Sequence, residues 1–302
     1  MKVRMSSAVA TAIKSGAPIV ALESTIIAHG MPYPQNLAMA REVEQVISAG
    51  GATPATIAII DGELRAGLAP PELEHFAQNG PSIPKVSTRD MAYVVAKGAT
   101  GATTVASTMC IANLAGIAVF ATGGIGGAHR GAETTLDISN DLFEFARSNV
   151  AVVTAGAKAI LDLALTLEVL ESHGVPVVGF GTDDFPAFYS RQSGHMLAMR
   201  CDTAAGVAKL MKAKWAMGLE GGIVIANPIP LEHEIPAAVI APHIEKALGE
   251  AKRKGIHGKE VTPFLLGRLA EITSGKSLTA NIALVMNNAR VAAGIAVAFA
   301  QH

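Results

Sequence analysis

The sequence predicts an α/β protein, a three-layer α/β/α arrangement on a mostly parallel central sheet, and three observations carry that prediction. Short apolar runs recur at 18–23, 56–60, 117–121, 150–154, 176–180 and 222–226, each the length of a strand buried on both faces. Longer amphipathic stretches separate most of them, and such alternation places helices on both faces of a parallel sheet. The composition is 50% hydrophobic but only 4% aromatic, which suits close packing of Ala, Val and Ile helices on a sheet. No linker, repeat or low-complexity tract interrupts the 302 residues, so 1–302 read as one domain.

Taken in order, residues 5–15 predict a short helix stopped by Gly16, and Pro18–Glu23 the first strand, apolar until it meets a carboxylate. Residues 24–34 form a turn-bearing connection, and 35–48 a helix closed by Gly50 and Gly51. The strand 56–60 turns at Asp61–Gly62 into 63–68, which is hairpin chemistry. Pro70 and Pro71 open a helix in the manner of an N1 proline. Ser87 and Asp90 have capping-box spacing ahead of a helix at 89–97. Helices are expected at 104–115, 139–148, 159–173 and 202–217, and the segment from 237 is helical at 237–254, 262–273 and 278–300.

The charge balance excludes some functions. A formal net charge of −1 carries no electrostatic footprint for nucleic acid or an anionic membrane. Cys110 and Cys201 form no ligand or disulfide spacing, which points to a reducing compartment. The apolar stretch 278–300 contains Asn281, Asn287, Asn288 and Arg290, the mark of a buried helix rather than a membrane span. The first seven residues lack the apolar core of a secretory signal, so a soluble, cytoplasmic protein is expected.

The candidate chemistry centres on the glycine-rich run after the strand 117–121. It places five glycines in the ten residues 122–131, and carries His129, Arg130, Glu133, Thr134, Asp137, Ser139 and Asp141 from its second half onward. A long polar loop at the carboxyl end of a parallel strand is where α/β proteins hold ligands. His129 stands where a dinucleotide fingerprint needs its third glycine, so a nicotinamide site is rejected. Ser107, Thr108 and a helix start are available as donors to an anion, or as caps. Asp137 and Asp141 flank Ser139, oxygen spacing compatible with a hydrated Mg²⁺ or Mn²⁺, although one of them suits the cap of the following helix. His29 and His129 lie in glycine-flanked loops as catalysts or structural donors. Glu23, partly desolvated at a strand end, suits a general acid or a capping role. Lys158 follows the strand 150–154 and is expected in the first turn of a helix, where the dipole and apolar neighbours favour a neutral, nucleophilic amine. These residues describe a soluble enzyme with an activated lysine, a carboxylate and an anion site, suited to a phosphorylated sugar.

Several long motifs then carry a more specific likeness: Ala21–Gly30 (ALESTIIAHG), Thr53–Ile59, Gly101–Met109 (GATTVASTM), Ala121–Asp141, Ala155–Lys158 (AGAK), Ala226–Pro230 (ANPIP) and Thr262–Leu266. In this order, over about residues 7–298, the chain resembles the pseudouridine-5′-phosphate glycosidase family. The resemblance implies an α/β/α fold, a homotrimer, Mn²⁺ as cofactor and reversible conversion of pseudouridine 5′-phosphate to uracil and ribose 5-phosphate. By motif it implies Lys158 as nucleophile and Glu23 as proton donor. Lys85 and Val105 (through its backbone), Ser139, Asn140, Asp141 and His129 are implied as substrate contacts, and Asp137 as the metal position. Asn140 departs from the small residue common there, and the loop 182–193 is hard to align with the family, so the base contacts stay open. The alternatives are a Schiff-base aldolase or a glycosidase on another phosphorylated sugar or nucleotide, and a non-catalytic nucleotide-binding protein.

Overall fold

The computed structural model describes residues 2–256 and 258–301, with only the backbone at 259. A two-residue strand, β1 (Arg4–Met5), leads into α1 (Ser7–Ser15), which ends at Gly16 in the left-handed conformation with φ 67°. β2 (Ile19–Glu23) is buried at every position. A short helix, α2 (Thr25–His29), and the longer α3 (Gln35–Ala49) bring the chain back to β3 (Thr53–Ile60). Asp61 and Gly62 both take positive φ, 50° and 75°, and this turn folds β4 (Glu63–Ala66) against β3 as the expected hairpin. α4 (Pro70–Asn79) begins on its two prolines.

Next come β5 (Lys85–Val86), α5 (Thr88–Ala96), β6 (Gly101–Thr103), α6 (Val105–Ala115) and β7 (Val119–Ala121). In α5 the Asp90 carboxylate accepts from the Ser87 N–H at 3.0 Å, so the capping box forms. The glycine run follows, with two short helices, α7 (Ala132–Thr135) and α8 (Asn140–Glu144). β8 (Ala151–Thr154), α9 (Leu163–Ser172), β9 (Val177–Phe180), β10 (Met199–Cys201), α10 (Ala204–Ala216) and β11 (Ile223–Ala226) complete the sheet. α11 (Ala237–Arg253), α12 (Val261–Ile272) and α13 (Lys276–Ala300) end the chain.

The strands lie in the order β1-β4-β3-β2-β7-β8-β11-β9-β10, and β6 pairs with β3 and carries β5 beside it. Every pairing is parallel except β3 with β4 and β3 with β6. The α/β, mostly parallel architecture read from the sequence is therefore the one formed. From β2 the chain first adds β3 on one side and later β7 on the other. The carboxyl ends of β2 and β7 thus flank a topological switch point, the crevice where open α/β sheets bind ligands. Glu23 ends one of these strands and Thr122 follows the other. α13 is long and apolar enough to cross a membrane, yet half of its most apolar stretch is buried here against α3, α10 and the central strands.

Two helices differ from expectation, each because tertiary hydrogen bonds draw residues out of it. The predicted helix 139–148 is helical only at 140–144, because Gly222 N–H takes the Phe145 carbonyl at 2.6 Å and draws the chain into β8. The predicted helix 159–173 starts four residues late, at Leu163, capped by Asp162, whose carboxylate accepts from the Leu165 N–H at 2.9 Å. Residues 155–158 instead run beside the glycine run. The Ile125 N–H donates to the Gly156 carbonyl at 3.1 Å and the Lys158 N–H to the Ile125 carbonyl at 3.0 Å.

Candidate active site

Two connected chambers open over the switch point. The outer one, about 350 Å³ and within the usual range of small-molecule sites, is polar and includes His129, Asp137, Ser139, Asn140 and Arg89. The inner one is mostly apolar and includes Ile26, Gly123, Gly124, Phe188, Leu266 and Asn281. Glu23, Thr25, Lys85, Lys158 and Thr262 belong to both. The two residues with the strongest chemical reading, Glu23 and Lys158, therefore stand together where polar meets apolar space.

Glu23 is 6% exposed, and both carboxylate oxygens are engaged. The Thr122 hydroxyl donates to one at 2.5 Å, and the Thr25 hydroxyl to the other. Thr122 is fixed in turn: its N–H donates to the Val153 carbonyl at 3.0 Å, and the Asn288 amide donates to its own carbonyl at 2.7 Å. Lys158 lies in the irregular segment between β8 and α9, not in a helix. The first-turn position expected for it, and with it the helix-dipole effect, is therefore not formed. What positions this lysine is the backbone pairing to Ile125.

The other predicted residues divide into cleft groups and structural groups. Lys85 opens β5 beside Ala102 of β6 and lines both chambers. His129 is half-buried, and its N–H donates to the Asp137 carbonyl at 2.9 Å, closing a small loop that holds the exposed Asp137 at the rim. Asn140 donates through its amide to Thr88 and so ties α8 to α5. Ser139 caps α8 through the Asp141 N–H at 3.3 Å. Asp141 is 4% exposed, and its oxygens accept from the Ala106 N–H and the Gly126 N–H, each at 2.8 Å. Its carboxylate bolts the start of α6 to the glycine run. Gly126 is required there, since a Cβ would fall 2.2 Å from Ser139 Oγ. The Val105 side chain is buried, leaving only its backbone at the head of α6 to face a ligand.

Ser107 and Thr108, open as anion donors in the sequence, face inward: Ser107 donates to the Val86 carbonyl at 2.7 Å and Thr108 to Thr103 Oγ1 at 3.0 Å. His29 shares a hydrogen bond of 3.0 Å between Nε2 and the Ile83 carbonyl. Burial holds its pKa below the ordinary histidine value, the carbonyl partly offsets this, and Lys85 adds to the lowering. Sequence reasoning missed Thr25, Thr122, Arg89, Phe188 and, as a cleft residue, Asn281. The two threonines sit inside quoted motifs and Arg89 between the capping-box residues Ser87 and Asp90, so all three were within reach. Phe188 and Asn281 arrive from distant segments with no local signal.

Among the described residues no three His, Cys, Asp or Glu side chains gather as a metal site. With the Asp141 and Glu23 carboxylates engaged, Asp137 is, among the described residues, the outer-chamber carboxylate left to a ligand, fitting a hard, largely hydrated divalent ion rather than a fully protein-bound one.

A family model described as indigoidine synthase A like protein matches residues 8–298. Proteins named pseudouridine-5′-phosphate glycosidase are 58% identical to this chain. The one from Nocardioides sp. aligns over 97% of this chain and 95% of its own length, and the one from Glaesserella parasuis over 98% and 97%. The chain belongs to the pseudouridine-5′-phosphate glycosidase family. Among solved structures, the prealnumycin C-glycosynthase AlnA in complex with ribulose 5-phosphate superposes with a TM-score of 0.91 at 38% identity, covering 100% of this chain and 98% of AlnA. An indigoidine synthase A-like protein from Thermotoga maritima gives 0.89 at 37%, covering 98% and 96%. The glycosidase family and its α/β fold are thus those the sequence motifs indicated.

Proposed function

We propose that the chain reversibly cleaves the C–C glycosidic bond of pseudouridine 5′-phosphate, giving uracil and ribose 5-phosphate. The observation that carries this reading is the convergence of Lys158 and Glu23 at the junction of a polar and an apolar chamber. That junction suits the anomeric carbon, with the sugar phosphate in the outer chamber near Lys85, Arg89 and His129 and the base in the inner one. The backbone at Val105 and the Ser139–Asn140–Asp141 turn shape the outer wall.

A C-nucleoside has no leaving heteroatom, so the two-carboxylate route of ordinary glycosidases does not serve. Glu23 serves as the proton donor to the ring oxygen as the ring opens, and the Lys158 amine bonds to C1′. The Glu23 carboxylate then takes a proton from the Lys158 nitrogen and passes it to carbon 5 of the base as the C1′–C5 bond breaks, leaving a Lys158 imine that water hydrolyses to ribose 5-phosphate. The ribulose 5-phosphate held by AlnA supports an open-chain sugar phosphate in this fold, because a 2-pentulose phosphorylated at O5 cannot close a furanose ring. Asp137 would hold a Mn²⁺ or Mg²⁺ ion, which when bound balances phosphate charge. Homotrimeric assembly and a cytoplasmic location belong to the same reading on the family resemblance.

The test is uracil release with Mn²⁺ by the wild type and by Lys158→Ala, with a loss on the order of 10³-fold or more expected in the variant. Reductive trapping with ribose 5-phosphate and cyanoborohydride should add one pentitol phosphate at Lys158, read by peptide mass. Full activity in Lys158→Ala would sink the lysine route. The C-glycosynthase neighbour favours a second reading, the same chemistry on another aglycone, which product analysis over a panel of aglycones separates.

A further inference from the structure

The inner chamber has one wall that the family motifs leave unassigned. It comes from the segment between β9 and β10, which lies outside the motifs that carry the family likeness. Phe188 there takes φ 63°, an outlier for a bulky aromatic, held only where the surroundings over-determine it. Its N–H donates to the Ala155 carbonyl at 2.9 Å. Its ring stands edge-on to Tyr189, centroids 4.8 Å apart at 84°, and the Tyr189 hydroxyl is tied to Ser277.

The ring lies directly on the glycine run. A Cβ at Gly124 would fall 2.6 Å from both Cδ2 and Cε2 of Phe188, so glycine at 124 is what lets the ring occupy this wall. The same segment also touches the bend that carries the nucleophile, where a Cβ at Gly156 would fall 2.0 Å from the Pro186 carbonyl oxygen. Phe188 is 3% exposed, and it lines the inner chamber together with aliphatic groups such as Ile26 and Leu266. Among the described residues it brings the only phenyl ring to the cleft.

We propose that Phe188 is the specificity-determining wall for the aglycone. Its ring meets a planar heterocyclic base, and its fixed position limits the size of base that reaches Lys158. This rests on the reading of the cleft as a C-glycosidase site. An edge or face contact from an aromatic ring is the sequence-tolerant way to hold a flat base, and a rigid, strained backbone keeps that ring from yielding.

The test runs the reaction toward synthesis, with uracil and ribose 5-phosphate varied separately, in the wild type, Phe188→Ala, Phe188→Gly and Phe188→Tyr. Glycine accepts the positive φ without strain, so Phe188→Gly covers a folding failure of Phe188→Ala. The KM for uracil should rise about tenfold or more in Phe188→Gly, while the KM for ribose 5-phosphate stays within about twofold and Phe188→Tyr stays near wild type. The enlarged chamber of Phe188→Gly should also turn over 1-propyluracil, which the wild type rejects. Equal rises in both KM values, or a loss confined to kcat, would make Phe188 a packing residue and overturn the proposal. An inactive wild type would instead overturn the glycosidase reading beneath it.

Discussion

Glu23 shows how much of a reactive group's behaviour is set by neighbours that carry no charge. Two threonine hydroxyls hold its carboxylate at the end of β2, so its orientation is fixed before any substrate arrives. Lys158 is fixed by its backbone alone, which leaves the side chain free to follow the reacting carbon. Burial also moves the titration of His29, which lines the inner chamber. Its pKa lies below the ordinary histidine value of 6.5, chiefly because burial disfavours the charged ring. Below pH 6.5 the unfolded chain therefore binds a proton that the native state resists. Stability should fall as pH drops from 6.5 toward the lowered native value, and be unaffected by this group at higher pH. Melting curves between pH 7.5 and 5.5 check this. His29→Gln, whose amide can still donate to the Ile83 carbonyl, should show a smaller fall over that window than the wild type, and parallel curves would refute the assignment.

Elements show which parts of the sequence were legible. Strands of four or more apolar residues were found where predicted, and so were long helices with glycine or proline ends, because periodicity and punctuation are local signals. β5 and β6, two and three residues long, carry no periodicity and exist only because they pair with each other and with β3. The helix start at Leu163 was misplaced for a related reason. Apolar spacing continues back to Ala159, but the tertiary pairing of 155–158 with the glycine run overrides it. One helix-to-sheet contact has a testable cost. Glu44 of α3 accepts from Thr56 of β3 at 2.6 Å. Burial raises its pKa above 4.5, and the Thr56 hydroxyl partly opposes this. A raised carboxyl pKa favours the native state at low pH, and that advantage is lost as pH rises through the native value. Glu44→Gln keeps an acceptor for Thr56 without a charge to bury. At pH 7 it should melt roughly 1–3 °C higher than the wild type, with the gap closing near pH 4. A gap independent of pH would show that ionisation of Glu44 is not its source.

At the scale of the molecule, the site depends on the last helix as much as on the first strand. α13 supplies Asn281 to the inner chamber and, two turns on, the fully buried Asn288. The Asn288 amide donates to the Thr122 carbonyl and its oxygen accepts from Asn227 at 2.9 Å, while the Asn227 N–H donates to the Thr154 carbonyl at 2.8 Å. One buried network thus joins α13, the end of β11, the end of β8 and the residue that holds Glu23. The sequence showed these asparagines only as polar exceptions in an apolar stretch and in the ANPIP motif. Their partners lie too far along the chain for spacing to reveal. Because each amide satisfies another buried group, removing either side chain orphans its partner, at about 1–3 kcal/mol. Asn288→Ala should therefore lower the melting temperature by several degrees and reduce kcat through Thr122 and Glu23, with a smaller change in KM. Asn227→Ala should cost stability without the same loss of kcat, since Thr122 keeps its bond to Asn288. If the network acts as a unit, the double variant loses less than the sum of the single losses, with a coupling of roughly 0.5–3 kcal/mol in a double-mutant cycle on stability. Strict additivity would mean that α13 merely covers the sheet, and that Glu23 is positioned by β2, Thr25 and Thr122 alone.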